Sequence, residues 1–285
     1  MLRRLDLSPS GNDVFTAAHQ PIPSGRAYGG ELVAQALVAA TRTVAADRRV
    51  HSLHGYFLRP VDVARPTTWS VERVRDGRGF SSRAVRGEQG GKEAFRALLS
   101  FHRPQPGVQH ALAAPDWLGD PEDLPTAEQA LAGGPDLAGV RDARYWAHER
   151  GFDLRHDPGP VYTASDPRRG TRQAVWFRAI DPLPADPGAH RAALAYVCDY
   201  TMLEPVLRRH GAHWSDEHVV TASVDHAMWF HADGRLDEWN VLVQDSPAAG
   251  GGVGLGTASI FSRDGRLLAT VAQQGVVLVP TGDDA

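Results

Sequence analysis

The chain has 285 residues, of which 42% are hydrophobic and 22% are charged, so it can bury a core and is not disordered. Its net charge of −4 and the absence of any basic run argue against the clustered positive surface that nucleic-acid binding requires; Lys92 is the only lysine, and the other cations are Arg. Cys198 is the only cysteine, which excludes an intrachain disulfide, and no apolar stretch approaches the ~18 residues of a membrane span. We expect a soluble cytoplasmic protein that neither binds nucleic acid nor inserts into a membrane.

The N-terminal part of the chain predicts one helix followed by four strands. A strand-like run at 14–20 precedes "YGGELVAQALVAATRTV" (28–44), where a glycine pair followed by Ala, Leu and Val predicts a helix. Apolar runs separated by turn sequences then predict strands at 49–58, 67–75, 79–87 and 93–102. Residues 104–150 are rich in Pro, Gly, Asp and Ala and predict a connector with short helices, one of them at 140–150.

The same order of elements recurs after the connector. Strands predicted at 152–156 and 173–180 precede a helix predicted at 189–207. The strands predicted after this helix are 217–231, 238–244, 254–262 and 266–279. The segment "HSLHGYFLRP" (51–60) aligns with "ASVDHAMWFH" (222–231), which equates Ser52 with Ser223.

This repeat predicts the fold class. One long helix followed by antiparallel strands predicts a sheet wrapped around a central helix, and a single such unit would expose a sheet edge. The two units are therefore expected to pair into one continuous sheet, which is an α+β, double hot-dog arrangement. The predicted division is an N-terminal unit at 1–103, a connector at 104–151 and a C-terminal unit at 152–285.

Asp199 is an unusual residue for its position in the second helix. At helical spacing it shares an otherwise apolar side with Ala195, Met202, Leu203 and Val206. Burying an ionised carboxylate costs several kcal/mol unless the group is paired or hydrogen-bonded. Asp199 therefore has dedicated partners for structural reasons or takes part in chemistry, and this segment leaves both interpretations open.

Gln273 raises a similar question in the last predicted strand. In "LLATVAQQGVVLV" it falls on the same face as Ala269, Val271 and Val277, while Gln274 falls on the other face. An amide on an apolar face needs buried hydrogen-bond partners. The pattern fits either a structural amide or a member of a buried site.

Six segments, in order over residues 14–278, resemble the acyl-CoA thioesterase II family, whose members are double hot-dog hydrolases. They are "YGGELVAQAL", "VHSLHGYFLRPVD", "VERVRDGRGFSSRAV", "VWFRAIDPLPADPGAHRAALAYVCDY", "ASVDHAMWFH" and "RDGRLLATVAQQG". The resemblance implies hydrolysis of acyl-CoA to free fatty acid and CoA. It implies Asp199 as general base, with Ser223 and Gln273 positioning the water or the carboxylate. Two positions depart from the family, because Ser223 stands where Thr is frequent and Gln274 replaces the Glu after the catalytic Gln.

The aligned first helix predicts one active site per chain. Gln35 occupies the position of Asp199, and a carboxamide cannot serve as a base. Gly29 and Gly30 open the first helix, and a helix N-terminus offers free N–H groups. By resemblance to related hot-dog enzymes, the N–H groups of Gly30 and Glu31 would polarise the thioester carbonyl opposite Asp199. The alternative is that the glycine pair only relieves crowding where strand meets helix.

Other reactive residues receive structural interpretations. Cys198 lies about 100° around the helix from Asp199, which predicts a buried, inert thiol rather than a nucleophile. Asp225 and His226 are adjacent on a strand and point to opposite faces, so they cannot act together unless a bulge intervenes. Asp225, and His54 that aligns with it, are assigned to the framework. The histidines lack metal-ligand spacing, so no metal is predicted, and no other cofactor is either.

Three functions compete at this point. The leading one is acyl-CoA hydrolysis, and the second is a hot-dog enoyl-CoA hydratase or dehydratase, which would need an Asp/His pair meeting across units. The third is a non-catalytic acyl-CoA-binding protein, which would tolerate loss of the Asp, Ser and Gln set. The expected partners are the acyl-CoA substrate and further copies of the chain in a homodimer or homotetramer. Acyl chain length and branching preference cannot be read from the sequence.

Overall fold

The structure, a computed structural model, describes residues 4–132, 140 and 142–280. Within these residues the strands are β1 (Ser8–Gly11), β2 (Val14–Ala17), β3 (Arg49–Phe57), β4 (Thr67–Asp76), β5 (Phe80–Gln89), β6 (Lys92–His102), β7 (Phe152–Asp157), β8 (Gln173–Ala179), β9 (Val220–Ser223), β10 (Asp225–Phe230), β11 (Asn240–Gly250), β12 (Val253–Ser262) and β13 (Leu267–Leu278). The helices are α1 (Gly29–Thr41), α2 (Ala127–Ala132), α3 (Pro187–Val197) and α4 (Glu204–His210). Short 3₁₀ turns lie at Pro121–Asp123 and Cys198–Tyr200, and a π-helical turn lies at Tyr145–Glu149.

All the described strands join one antiparallel sheet. Its order is β1-β2-β4-β5-β6-β3-β10-β13-β12-β11-β8-β7, with β9 pairing beside β10 on β13. The second half of this order repeats the first half in reverse, and the halves meet at β3 and β10. Gly55 and His226, which the internal repeat equates, lie directly opposite each other at this junction. Two equivalent strands therefore pair about an approximate two-fold axis, and the predicted double hot-dog fold is confirmed.

The core is shared between the two halves. Helix α1 packs against strands of its own half and against α3. Val33, Leu37 and Tyr196, from these two helices, belong to the same buried cluster as Leu53 and Val271 from the sheet. Burial of the apolar faces of helices and sheet is the main favourable contribution to folding of such an arrangement.

The helix predicted at 189–207 is interrupted, which differs from the prediction. Helix α3 ends at Val197, a 3₁₀ turn follows, and α4 begins at Glu204. Pro205 explains the break, because a proline ring clashes with the carbonyl four residues earlier, here that of Thr201. Thr201 accordingly leaves the helical region, with φ −131° and ψ 7°. The interruption places Asp199 in a short turn instead of a helix interior.

The strand predicted at 217–231 is also interrupted. Ser223 lies opposite Gly275 and Ala227 lies opposite Ala272, so β9 and β10 carry one residue more than the matching stretch of β13. This is a β-bulge at Val224, whose N–H donates to the carbonyl oxygen of Gln274 (2.9 Å). The bulge resets the alternation of side chains, so Ser223 and His226 both face the core side of the sheet.

The connector contains the short elements that its composition predicts, namely α2 and the 3₁₀ and π-helical turns. Residues 133–139 and 141 lie outside the described residues, so the helix predicted at 140–150 is described only from its later part, as the turn Tyr145–Glu149. The limits proposed for the units and the connector stay predictions. None of the helices in the described ranges is long and apolar enough to cross a membrane.

Candidate active site

Asp199 lies half-buried in the turn after α3, and three donors hold its carboxylate. Oδ1 accepts hydrogen bonds from Ser223 Oγ (3.2 Å) and from Gln273 Nε2 (2.6 Å). Oδ2 accepts from the backbone N–H of Gly30 (2.9 Å). Hydrogen bonds of this kind stabilise the ionised form of a carboxylate and fix its orientation. Asp199, Ser223 and Gln273, which the family resemblance groups, are all in contact in the structure.

One side of the carboxylate remains accessible. An ionised carboxylate offers about four lone-pair positions, and the three donors leave one of them, on Oδ2. Gly29 borders this oxygen, since a Cβ at residue 29 would lie 2.6 Å from Oδ2. The absence of a side chain at Gly29 therefore leaves room beside the oxygen that can accept a proton.

The glycine pair also lets the two main helices touch. A Cβ at Gly30 would overlap the backbone carbonyl oxygen of Tyr196, so α1 and α3 meet backbone to backbone. The hydroxyl of Tyr28 donates to the same carbonyl (2.8 Å). Burial, followed by the negative charge of Asp199, holds the pKa of Tyr28 well above its usual range, so this residue is a neutral donor. Relief of crowding and delivery of an N–H group to the site are thus both functions of Gly30.

Glu31, the second backbone donor expected in the sequence analysis, lies outside this arrangement. Its N–H donates to the carbonyl oxygen of Tyr28 (3.1 Å), inside the first turn of α1. Its buried carboxylate accepts from the backbone N–H of Gln20 (3.1 Å) and lies 3.1 Å from Nδ1 of His19. Of the two predicted backbone donors, only Gly30 faces Asp199 in this structure.

Gln273 links three side chains at the centre of the site. It is 1% exposed, and its Nε2 donates to Ser223 Oγ (2.9 Å) as well as to Asp199. Its Oε1 lies 2.6 Å from Nδ1 of the fully buried His226. This contact was not predicted from the sequence, because simple strand alternation does not reveal the bulge that turns Ser223 and His226 to one face.

Asp225 and His226 make separate contacts, as the sequence analysis predicted for adjacent strand residues. Asp225 Oδ1 accepts from the backbone N–H of Gln274 (2.8 Å), whereas His226 contacts Gln273. His54 is exposed on the other side of the sheet, edge-on to Trp229 at 5.1 Å between ring centroids. These residues form no Asp/His pair, and Asp225 stabilises the bulge beside the site.

Cys198 is unsuited to be a nucleophile. It is fully buried, and its Sγ donates to the carbonyl oxygen of Leu194 (2.9 Å). Burial, followed by the nearby charge of Asp199, raises the pKa of this thiol, so the reactive thiolate form is disfavoured. In the described ranges no group of three or more His, Cys, Asp or Glu residues could hold a metal ion.

The equivalent position in the first unit is occupied by a structural amide. Gln35 Nε2 donates to the carbonyl oxygens of Arg4 and Ala18 (both 3.0 Å), and its Oε1 accepts from Trp69 Nε1 (3.1 Å). In the alignment that equates Gln35 with Asp199, the counterpart of Gly30 is Leu194, which lies inside α3. The first unit therefore offers neither a base nor a helix N-terminus at this place.

Two family models match the chain. One, described as acyl-CoA thioesterase, matches residues 153–276, and another, described as acyl-CoA thioesterase N-terminal domain, matches residues 18–102. Human acyl-coenzyme A thioesterase 8 is 36% identical over 284 residues, which cover 96% of this chain and 88% of the relative. Acyl-CoA thioesterase 2 of Haemophilus influenzae is 31% identical over 281 residues, covering 97% and 96%.

Solved structures of acyl-CoA thioesterases also match this chain. The crystal structure of the acyl-CoA thioesterase II TesB2 from Mycobacterium marinum matches with a TM-score of 0.77 and 37% identity, covering 99% of this chain and 98% of the other. The dehydratase domain of RzxB from Pseudomonas fluorescens matches with a TM-score of 0.52 at 14% identity, which shows a common fold alone. With relatives above 30% identity along nearly the whole length, the chain belongs to the acyl-CoA thioesterase II family.

Proposed function

We propose that this protein hydrolyses acyl-CoA thioesters to free fatty acid and CoA, with Asp199 as the general base. The observation that carries the proposal is the carboxylate of Asp199, which three donors hold in place while one lone-pair position on Oδ2, the oxygen nearest Gly29, has no donor among the described residues. A base so oriented can accept a proton from a water molecule without first reorganising. Family membership supports the thioester as the bond that the water attacks.

The reaction balances with the groups present. A water molecule at Oδ2 gives one proton to Asp199 while its oxygen bonds to the thioester carbonyl carbon. The tetrahedral intermediate then collapses, the carbon–sulfur bond breaks, and the proton passes from Asp199 to the leaving thiolate of CoA. The products are the fatty acid and the CoA thiol, and Asp199 returns to its ionised form. General-base catalysis of this kind is worth about 10²–10⁴ in rate.

Ser223 and Gln273 would hold the base in line for this transfer. Both donate to Oδ1 of Asp199, so they leave Oδ2 as the oxygen that meets water. Ser223 keeps the hydroxyl that Thr supplies in other family members, so its role is conserved chemically. Gln274 lies on the opposite strand face from Gln273 and contacts Asp225 through its backbone N–H, so the missing Glu charge lies outside this set of donors.

Gly30 is the proposed donor to the developing oxyanion. Its N–H donates to Asp199 Oδ2 in the substrate-free protein. When Asp199 accepts the proton from water, its oxygen becomes a weaker acceptor, and the N–H of Gly30 is then free to strengthen its bond to the carbonyl oxygen of the substrate. The positive end of α1 adds to this stabilisation because it faces the site.

The competing functions have weaker support. A hydratase or dehydratase would need an Asp/His pair across the units, and in the described part of the chain His226 contacts Gln273 instead. A non-catalytic acyl-CoA-binding protein has no need for a three-donor arrangement around an accessible carboxylate. A homodimer or homotetramer and a cytoplasmic location stay predictions.

The test of the proposed function compares Asp199→Asn with the control Asp225→Asn. CoA release from a panel of acyl-CoAs is followed with a thiol reagent, and thermal melting is measured on the same samples. Asp199→Asn should lose about two orders of magnitude or more in kcat, because the amide cannot accept the proton. Asp225→Asn removes a neighbouring charge but keeps an Oδ1 acceptor for the Gln274 N–H at the bulge, so it should keep turnover within a few-fold of the wild type.

Two results would contradict the proposal. If Asp199→Asn melts early but keeps near-normal turnover per folded molecule, the carboxylate is structural. If the wild-type protein releases no CoA from any acyl-CoA but hydrates enoyl-CoA, the hydratase alternative is correct.

A further inference from the structure

His226 is a buried side chain that the proposed reaction does not use. It is 0% exposed and lies next to the bulge, at the junction of the two halves. Its Nδ1 lies 2.6 Å from Gln273 Oε1, and its Nε2 has no hydrogen-bond partner among the described residues. Burying a polar side chain with one nitrogen unpaired costs free energy, so the remaining contact is expected to have a purpose.

The hydrogen-bonding groups beside His226 determine which of its ring nitrogens carries the hydrogen. The ionised carboxylate of Asp199 can only accept, so the atom of Gln273 that lies 2.6 Å from it must be the NH₂ group. The amide oxygen of Gln273 then faces His226, and a carbonyl oxygen can also only accept. His226 Nδ1 must therefore carry a hydrogen and donate it to Gln273 Oε1.

Without this donor, the amide of Gln273 could rotate by 180°. The rotated amide would place its oxygen against Oδ1 of Asp199, where two acceptors repel, and Ser223 Oγ could bond to that oxygen only by giving up its own bond to Asp199. With the donor present, only one orientation satisfies both ends of the amide. On the basis of the proposed function, we propose that His226 is a positioning residue, whose Nδ1–H fixes the amide of Gln273 with its NH₂ group toward Asp199 and Ser223.

The surroundings of His226 favour the neutral ring. Burial lowers the pKa of His226, and this effect outweighs the opposing influence of the carboxylates of Asp199 and Asp225 and of the Gln273 contact. A protonated ring would carry a second donor at Nε2, which the described residues leave without an acceptor. In the neutral ring Nδ1 keeps the hydrogen that Gln273 Oε1 accepts, and the unpartnered Nε2 carries only a lone pair.

The test uses two substitutions that differ in one donor. The amide nitrogen of Asn lies near the place of a histidine Nδ1, so His226→Asn can still donate to Gln273 Oε1. His226→Leu has similar bulk and cannot. We expect His226→Leu to lower kcat by about 10- to 100-fold with KM changed less than about threefold, and His226→Asn to recover most of that loss.

A double-mutant cycle separates positioning from packing. Gln273→Ala removes the amide through which His226 acts, so His226→Leu should cause little further loss of kcat in that background. A nitrogen-15 spectrum of the histidines reads the ring tautomers in the wild-type protein itself, and the spectrum of His226→Asn assigns the signals of residue 226. The signals that disappear in His226→Asn should be those of a neutral ring protonated at Nδ1.

The outcomes are distinct. Equal kcat for the Leu and Asn variants, additive losses with Gln273→Ala, or a His226 ring protonated at Nε2 would each overturn the positioning role. Any of these results, obtained while Asp199→Asn still abolishes turnover, leaves the proposed function intact. If Asp199→Asn itself keeps near-normal turnover, the proposed function fails first.

Discussion

Gly29→Ala is a substitution that tests the accessible side of the Asp199 carboxylate. The new Cβ would lie 2.6 Å from Oδ2 of Asp199 and 3.0 Å from Cε1 of Phe57. An ordinary contact begins at 3.4 Å, so the carboxylate oxygen has to withdraw by about 0.8 Å if the backbone of α1 stays in place. The Phe57 ring needs a smaller displacement than the carboxylate and can make it by tilting.

The withdrawal would affect both roles of Oδ2. The bond from the N–H of Gly30, now 2.9 Å, would lengthen beyond hydrogen-bond range, and the lone-pair position beside Gly29 would be filled by a methyl group. A displacement of about 1 Å at a reacting group costs about 10²-fold in rate. We therefore expect kcat to fall between about 10- and 100-fold. Thermal stability should change little, because the atoms that have to move are the ends of two side chains, Asp199 and Phe57, and not backbone.

The assay is CoA release at saturating acyl-CoA, paired with thermal melting of each variant. Gly188→Ala is the matched control, since Gly188 also lies at a helix start and a Cβ there would lie 3.1 Å from a carboxylate oxygen, that of Asp186. This control should keep wild-type turnover. Retention of more than half of the wild-type kcat by Gly29→Ala, with an unchanged melting temperature, would refute the role assigned to the space beside Oδ2.

Three further predictions concern buried side chains. Gln35→Ala should lower the unfolding free energy by about 2–4 kcal/mol, because it leaves the Trp69 N–H without its acceptor and two backbone carbonyls without their donor. Turnover per folded molecule should be kept. A tenfold fall in turnover at unchanged melting temperature would contradict this prediction. Cys198 should stay unmodified by a thiol reagent in the native protein and react only after unfolding, and Cys198→Ala should keep activity; rapid modification of the native protein would contradict its burial. Burial raises the pKa of Glu204, but His156, 3.3 Å away, and Arg208 outweigh this and hold the pKa at about 2. Because this pKa is lowered on folding, the stabilisation is present above pH ~4.5 and is lost as the pH falls toward ~2. Urea unfolding should therefore show Glu204→Gln about 3 kcal/mol less stable than the wild type at pH 6, and this difference in stability should narrow by pH 3. A difference that stays constant with pH would contradict the coupling.

The internal repeat could be predicted from the sequence because it depends on local patterns. Alternation of apolar residues, turn sequences and the glycine-opened helix recur in both units, and the alignment of Gly55 with His226 matches the pair that the structure places at the junction. The resemblance to the family then identified Asp199, Ser223 and Gln273, which the structure brings into contact. The fold class and the residues of the candidate site were thus available before the structure.

The helix break after Val197 was also present in the sequence, although helical periodicity concealed it. Pro205 follows an unbroken apolar pattern, and a proline inside such a pattern is a stop signal. What the sequence could not reveal is how the break fits the sheet. The carbonyl of Met202 occupies the space where a side chain at Gly256 would lie, and Leu203 fills the corresponding space at Gly275.

Only the tertiary structure decided the hydrogen bonding of the site. The bulge at Val224 arises from strand register between β9, β10 and β13, which depends on pairing across about fifty residues of sequence and has no local signature. That single extra residue turns Ser223 and His226 to the same face, and the close crossing of α1 and α3 brings the N–H of Gly30 to Asp199. Local propensity fixes which residues form strands and helices, whereas register and helix crossing are set by packing of the whole core, and these determine which donors reach the carboxylate.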